Sequence, residues 1–300
     1  MAETADLALD CVEGNMLPSE VPGLSLFAPF GLDAATLEQR YDPWLQRFGP
    51  MAGSPCPRYA RPRPLPPGEP VGTFRALPNI MGGLALVEDP AGRMIAIWPE
   101  IELGAQFTVE IDALYLSEDR RLAIVEARLP GGVVVHYFDQ RFLAERPLYW
   151  RGARHDVLFT GVPMRFETWT ADEAAQVAAA LSGAIASRVP ELASRVDASG
   201  MAAMLPGTTG ARNAYTIVGP VKDIRPVEDG LLGAPCWRVR VEVARPGGGA
   251  APFRVDILLG AVLLNGRDLP QIGGMVTAEI TLFGSLSMTI NVRPPAPAVT

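Results

Sequence analysis

LAIVEARLPGGVVVHYF (residues 122–138) and WRVRVEVARPGGGAAPFRVDILL (residues 237–259) decide the fold. In each stretch an alternating run meets Pro-Gly-Gly and is followed by a second apolar run. A period of two places every other side chain on one face of a strand. Proline fixes φ, and the glycines that follow accept a positive φ, so the chain turns back on itself. Each stretch therefore reads as a β-hairpin.

The surroundings of the two hairpins also match. Phe107, Val109 and Ile111 alternate with Thr108, Glu110 and Asp112 before the first, and Ile217, Gly219 and Val221 precede the second. DQRFLAERPLYW (139–150) and GAVLLNGRDLPQ (260–271) follow them, both 12 residues long. Apolar runs at 157–160 and 162–166 flank Gly161, and those at 276–283 and 286–292 flank Gly284. The offset between the copies changes from 110 to 121, and the 11 extra residues fall in the first loop, where an insertion is tolerated. Strand, strand, strand, connector, strand, strand is the order of a small oligonucleotide/oligosaccharide-binding (OB) barrel. The expectation is a mainly β protein with a linking helix (α+β), built as two similar small OB-like β-barrel modules arising from internal duplication.

This reading divides the chain into an irregular N-terminal arm (1–83), a first module with its preceding hairpin (84–168), a helical linker (169–213), a second module (214–293) and a tail (294–300). Within the arm, Asp33 caps a short helix through Leu37, Tyr41 and Trp44, and the proline-rich stretch at 49–70 is unsuited to a central strand. Leu84–Val87 and Met94–Trp98 flank a turn at Asp89–Gly92 and form a hairpin. In the linker, Thr170 with Glu173 three positions later has the pattern of a capping box. GMAAMLPGTTGARN (200–213) reads as a flexible link.

Composition narrows the function classes. Twenty-six basic residues against thirty-three acidic ones leave a net charge of −7, and Lys222 is the single lysine. Neither module is basic overall, which makes nucleic acid an unlikely partner. Three cysteines without metal-ligand spacing suit a reducing compartment. The acidic N-terminus and the lack of a long apolar run predict a cytoplasmic protein with no membrane insertion.

No motif supports a cofactor or metal site. GTTGARN lacks the lysine of a phosphate-wrapping loop, and the glycines at 82–83 and 273–274 suit turns. The leading reading is a non-catalytic protein-binding adaptor or assembly component, with another protein or a second copy as partner. Arg146, Leu263, Leu264, Arg267 and Leu269 in the connectors are its candidate contacts. One alternative is a hydrolase or other enzyme on a small polar substrate, using His136 and Asp139 with His155 and Asp156, since imidazoles beside carboxylates move protons near neutral pH. The other is a single-stranded nucleic-acid-binding protein, with Arg238, Arg240 and Arg254 sharing a face with an aromatic ring.

Overall fold

In the computed structural model the described residues are 12–37 and 39, 73–77, 83–88, 94–101, 103–118, 120–145, 148–170, the helical positions 172–173 and 175–176, 201–228, 230–231, 233–245 and 251–287. The proline-rich stretch and the C-terminal tail lie outside them.

Mainly β structure with a linking helix is what forms. The helix starts behind Thr170, whose backbone N–H donates to Glu173 Oε2 at 2.8 Å while its hydroxyl accepts from the Glu173 N–H at 3.2 Å. Asp33 caps the earlier helical turn by accepting from the Thr36 N–H at 2.7 Å.

A short first strand is β1 (Val12–Asn15). A small antiparallel sheet follows, β2 (Thr73–Leu77), β3 (Gly83–Glu88) and β4 (Met94–Glu100). The expected hairpin is β3–β4, with β2 added on its other side.

Next come β5 (Ala105–Leu116), β6 (Ala123–Arg128), β7 (Val134–Asp139) and β8 (Arg154–Thr168). The second half contributes β9 (Ala203–Pro206), β10 (Ala214–Pro226), β11 (Cys236–Ala244), β12 (Phe253–Gly260) and β13 (Met275–Leu286). The connectors hold short helices, Phe142–Glu145 and Ala261–Leu264.

These strands form one ten-stranded mixed sheet, in the order β1-β5-β6-β7-β13-β8-β12-β11-β10-β9. The expectation of two OB-like barrel modules from duplication is therefore corrected, and with it the description of the chain as a β-barrel. The runs on either side of Gly161 are one strand, β8, and so are Val276–Phe283 and the start of the following run, which make β13. Both strands are shared between the halves. β8 pairs with β5 over residues 154–159, meets β12 at Thr160 and Gly161, and runs antiparallel to β13 from Val157 to Thr168. β13 pairs with β10 over residues 275–281 and with β7 at Phe283 and Gly284.

One apolar cluster is built from both halves, including Ile111, Tyr137 and Phe159 from the first and Val241, Phe253 and Leu282 from the second. Phe253 meets Phe107 edge-on at 5.0 Å and Phe159 at 5.5 Å, so the core continues across the junction. A two-sided adaptor requires two separable bodies. The shared strands and shared core remove that basis, and the adaptor and complex-assembly reading is corrected as well.

Gly284 stands where β13 crosses β7, and a Cβ there would overlap the ring of the fully buried Tyr137. We expect Gly284→Val to destabilise the protein by about 1–3 kcal/mol through overpacking. Urea unfolding followed by circular dichroism and by tryptophan fluorescence should give coincident transitions at a lowered midpoint. Two separate transitions would show that the halves fold independently.

Candidate functional site

The four residues of the enzymatic reading are divided between the two faces of the sheet. On β7, Val135 and Tyr137 point into the main core, Asp139 is buried, and His136 is directed outward. His136 Nε2 lies 2.9 Å from Glu126 Oε2, its register partner on β6, rather than against Asp139. On β8, His155 is inside and Asp156 outside. The His155 Nε2 lies 2.9 Å from the Leu148 carbonyl oxygen, and its ring packs near Tyr149 and Trp150. Burial holds the His155 imidazole below its ordinary proton affinity. Asp156 accepts from the Thr108 hydroxyl at 2.6 Å. Neither histidine therefore meets the carboxylate next to it in sequence: His136 and Asp156 lie on the outer face, and Asp139 and His155 are buried on the inner one, where Tyr149 adjoins both.

The connector residues have different surroundings. Leu263, Leu264 and Leu269 keep part of their surface and pack the rest against the core. Arg267 is exposed, and its charge reaches Glu173 at the start of the linking helix. Arg146 lies outside the described residues. Cys236 is buried, which raises its thiol to about 11 and leaves it unreactive.

A composite polar site forms where the N-terminal segment meets both halves of the sheet. β1 pairs in parallel with β5, setting Gly14 beside Tyr115 and leading the chain into the turn that carries Glu20. The Glu20 side chain is fully buried and receives Arg212 Nη1 at 2.7 and 2.9 Å, the Arg212 backbone N–H at 2.9 Å and the Leu17 N–H at 2.7 Å. Four contacts from three donor nitrogens on one carboxylate offset much of its desolvation. The Arg212 guanidinium also stacks 4.1 Å from the centre of the Tyr115 ring. Tyr115 donates to Glu126 at 2.8 Å, the oxygen that His136 approaches, and the His136 backbone N–H donates to the Tyr215 hydroxyl at 2.8 Å. Burial, with a smaller contribution from Glu126, pushes the Tyr215 hydroxyl up to about 12, so it stays neutral.

Beside this network is a cleft of about 190 Å³. Its walls come from the N-terminal turn, the β9–β10 hairpin and the paired strands β8 and β13, with Ser25, Thr209, Asn213, Tyr215 and Thr281 among its polar groups. Met164 forms part of the rim. In the β8–β13 ladder Arg165 faces Glu279 and Pro163 faces Ile280, which leaves Met164 as the extra residue of a bulge and turns its side chain outward, 43% exposed. The described lining contains two carboxylates, Glu20 and Glu279, and neither arginine, lysine nor histidine.

None of these residues except His136 was marked by sequence spacing. Pro163 was the available signal, because proline inside a strand is confined to edges and bulges. Among the described residues no group of three His, Cys, Asp or Glu is placed to hold a metal, and no helix is long and apolar enough to cross a membrane.

No family model matches the chain, and no curated protein matches it. Among solved structures, the cytoplasmic molybdate-binding protein ModG, crystallised with molybdate bound, is similar over 62% of this chain and 97% of that one, at 14% identity and a TM-score of 0.30. A likeness of that grade leaves both the fold and the ligand of this chain to its own geometry.

Asp139 provides a measurable signature of the interior. Burial raises its carboxyl to about 6, against the opposing pull of the Tyr149 hydroxyl, the Arg141 N–H at 2.9 Å and the Arg141 charge. The folded state therefore holds this proton more tightly than the unfolded chain. Its contribution to stability is full below pH about 4 and is lost as pH rises through about 6, at a cost of roughly 3 kcal/mol when ionised. Asp139→Asn should be more stable than the parent at pH 7.5, with the difference shrinking on acidification toward pH 4. Denaturant midpoints across that range measure it, and a parent equally stable at pH 7.5 would contradict it.

Proposed function

We propose that this chain is a non-catalytic binding protein that holds a small, neutral or singly cationic, hydroxyl- or amine-bearing solute in the cleft between the N-terminal segment and the β9–β10 hairpin. The observation that carries this reading is the wall chemistry: hydroxyls and an amide set among apolar groups, with two carboxylates and no cation. Glu20 is occupied by Arg212 and the Leu17 N–H, and Glu279, with the exposed Arg165 opposite it on β8, is the other carboxylate of the lining, where no cation offsets it within the cleft wall. At about 190 Å³ the cleft is smaller than the ~300–1,000 Å³ typical of drug-sized ligands, which suits a metabolite-sized occupant. Convergent hydroxyls and an amide orient such a solute, and the apolar rim strengthens those bonds by excluding water.

The pair Glu20–Arg212 holds one wall in place. Removing one partner of a buried ion pair typically costs about 3–5 kcal/mol, so Arg212→Ala should lower stability and loosen the cleft together.

The direct test is a thermal-shift and calorimetric panel of polyols, amino alcohols and small amines on the full chain, with sulfate and phosphate as anionic controls. A bound solute at one hundred times its Kd adds about 2.7 kcal/mol, a shift of several degrees. We expect stabilisation by one of the neutral or cationic classes, none by the anions, and loss of the effect in Met164→Trp, which fills the rim without entering the core. Stabilisation by anions alone, or binding unchanged in Met164→Trp, would overturn the proposal.

A further inference from the structure

The outer face of β10–β12 departs from the charge of the rest of the molecule. Register sets Asp223 opposite Arg240 and Arg225 opposite Arg238 between β10 and β11, then Arg240 opposite Asp256 and Glu242 opposite Arg254 between β11 and β12. These side chains therefore share one face. With Lys222 and Arg245 they make six cations against three carboxylates, a local charge of +3, while the remainder of the chain carries −10.

The depth of the two signs differs too. Asp256 is fully buried beneath Arg240, which holds both its oxygens at 2.7 and 2.9 Å. Glu242 is 5% exposed beneath Arg245, Lys222 and Arg254, and Asp223 is shared by Arg225 at 2.9 Å and Arg238 at 3.1 Å. Above them Arg225, Arg245 and Arg254 are 68, 52 and 42% exposed. Asp256 and Glu242 are the floor of this face, Asp223 is 25% exposed at its edge, and the exposed guanidinium groups are most of what a partner meets.

We infer that this face docks a short acidic polypeptide segment of a partner protein. Its guanidinium groups already hold carboxylates with the fork geometry such a segment would use, and three charges in excess are left for a partner to neutralise. Charge complementarity excludes a basic segment. Nucleic acid is disfavoured because Trp237, the aromatic ring of β11, packs toward the core on the opposite face, leaving these strands without a stacking platform among the described residues. A charge of −10 elsewhere also repels a long polyanion. The inference is independent of the solute cleft, whose lining shares no residue with this face.

Arg225 and Arg254 are the residues to change, because each carboxylate beneath or beside them then keeps a cation: Asp223 keeps Arg238, and Glu242 keeps Arg245 and Lys222. The test is fluorescence anisotropy of labelled hexaglutamate with the full chain, at low and at physiological salt, beside hexalysine and a thymidine hexanucleotide. We expect hexaglutamate to bind and to weaken with salt, and Arg225→Ser/Arg254→Ser to lose about tenfold in affinity with an unchanged melting temperature. Arg225→Glu, at the most exposed position, should act in the same direction and serves if the double variant is unstable. Absence of hexaglutamate binding, an unaffected variant, or tighter binding of the hexanucleotide would overturn the inference.

Discussion

The antiparallel pairing of β8 with β13 is the constraint on which the rest of the molecule depends. From Val276 opposite Thr168 to Leu286 opposite Val157, the last strand of each half lies along the last strand of the other. Within that ladder each strand also pairs with a strand of the opposite half, β8 with β12 at Thr160 and Gly161 and β13 with β7 at Phe283 and Gly284. A strand cut away from this arrangement leaves rows of buried N–H and C=O groups without partners, a penalty of about 1–3 kcal/mol for each unsatisfied group. The halves therefore stand or fall together, and the continuity of aromatic packing from Phe107 through Phe253 to Phe159 is the apolar counterpart of the same interlock.

The N-terminal segment is fastened to this frame at both backbone and side-chain level. β1 adds main-chain bonds to β5, while Glu20 reaches into the β9–β10 hairpin for Arg212. Because Arg212 also lies over Tyr115, and Tyr115 bonds Glu126, a charge in the N-terminal turn is continuous with the polar face of the first half. Such a network is favourable only when fully partnered, which accounts for the number of donors converging on the Glu20 carboxylate. The stretch at 200–213, which composition alone marks as a flexible link, contains β9 at Ala203–Pro206 and is held at Arg212 by these bonds.

Local structure was legible in the sequence where it is determined locally. The alternation in Trp237–Val243, the turn at Pro130, the Thr170–Glu173 capping box and the Asp33 cap all depend on residues within a few positions of one another. The hairpin at 84–98 was legible for the same reason. Strand exchange was not, because alternation states which side chains share a face and is silent on which strand lies alongside. Gly161 and Gly284 were read as breaks between short strands, whereas each lies inside a long strand at a close approach, Gly161 against Ile280 and Gly284 against Tyr137. The site was less legible still. His136 stood out as a rare residue, but its partners Glu126, Tyr115 and Tyr215 come from three strands, and the three-residue spacing to Asp139 places those two side chains on opposite faces.

The shared strands also frame the cleft proposed above as a binding site. β8 and β13 supply Met164 and the Glu279–Thr281 wall; β13 is paired on both sides there, with β8 and β10, and β8 is held by β13 on either side of Met164. The facing wall is a turn of the N-terminal segment, tied down through one buried carboxylate. A preorganised floor limits the entropy lost on binding. The bulge at Met164 fits the same division: disrupting the ladder at one residue aims a flexible apolar side chain at the rim, while pairing resumes at Arg165 and continues to the end of β8. Interlocked strands thus remove the two-body geometry an adaptor needs and provide the fixed frame that a small-solute cleft requires.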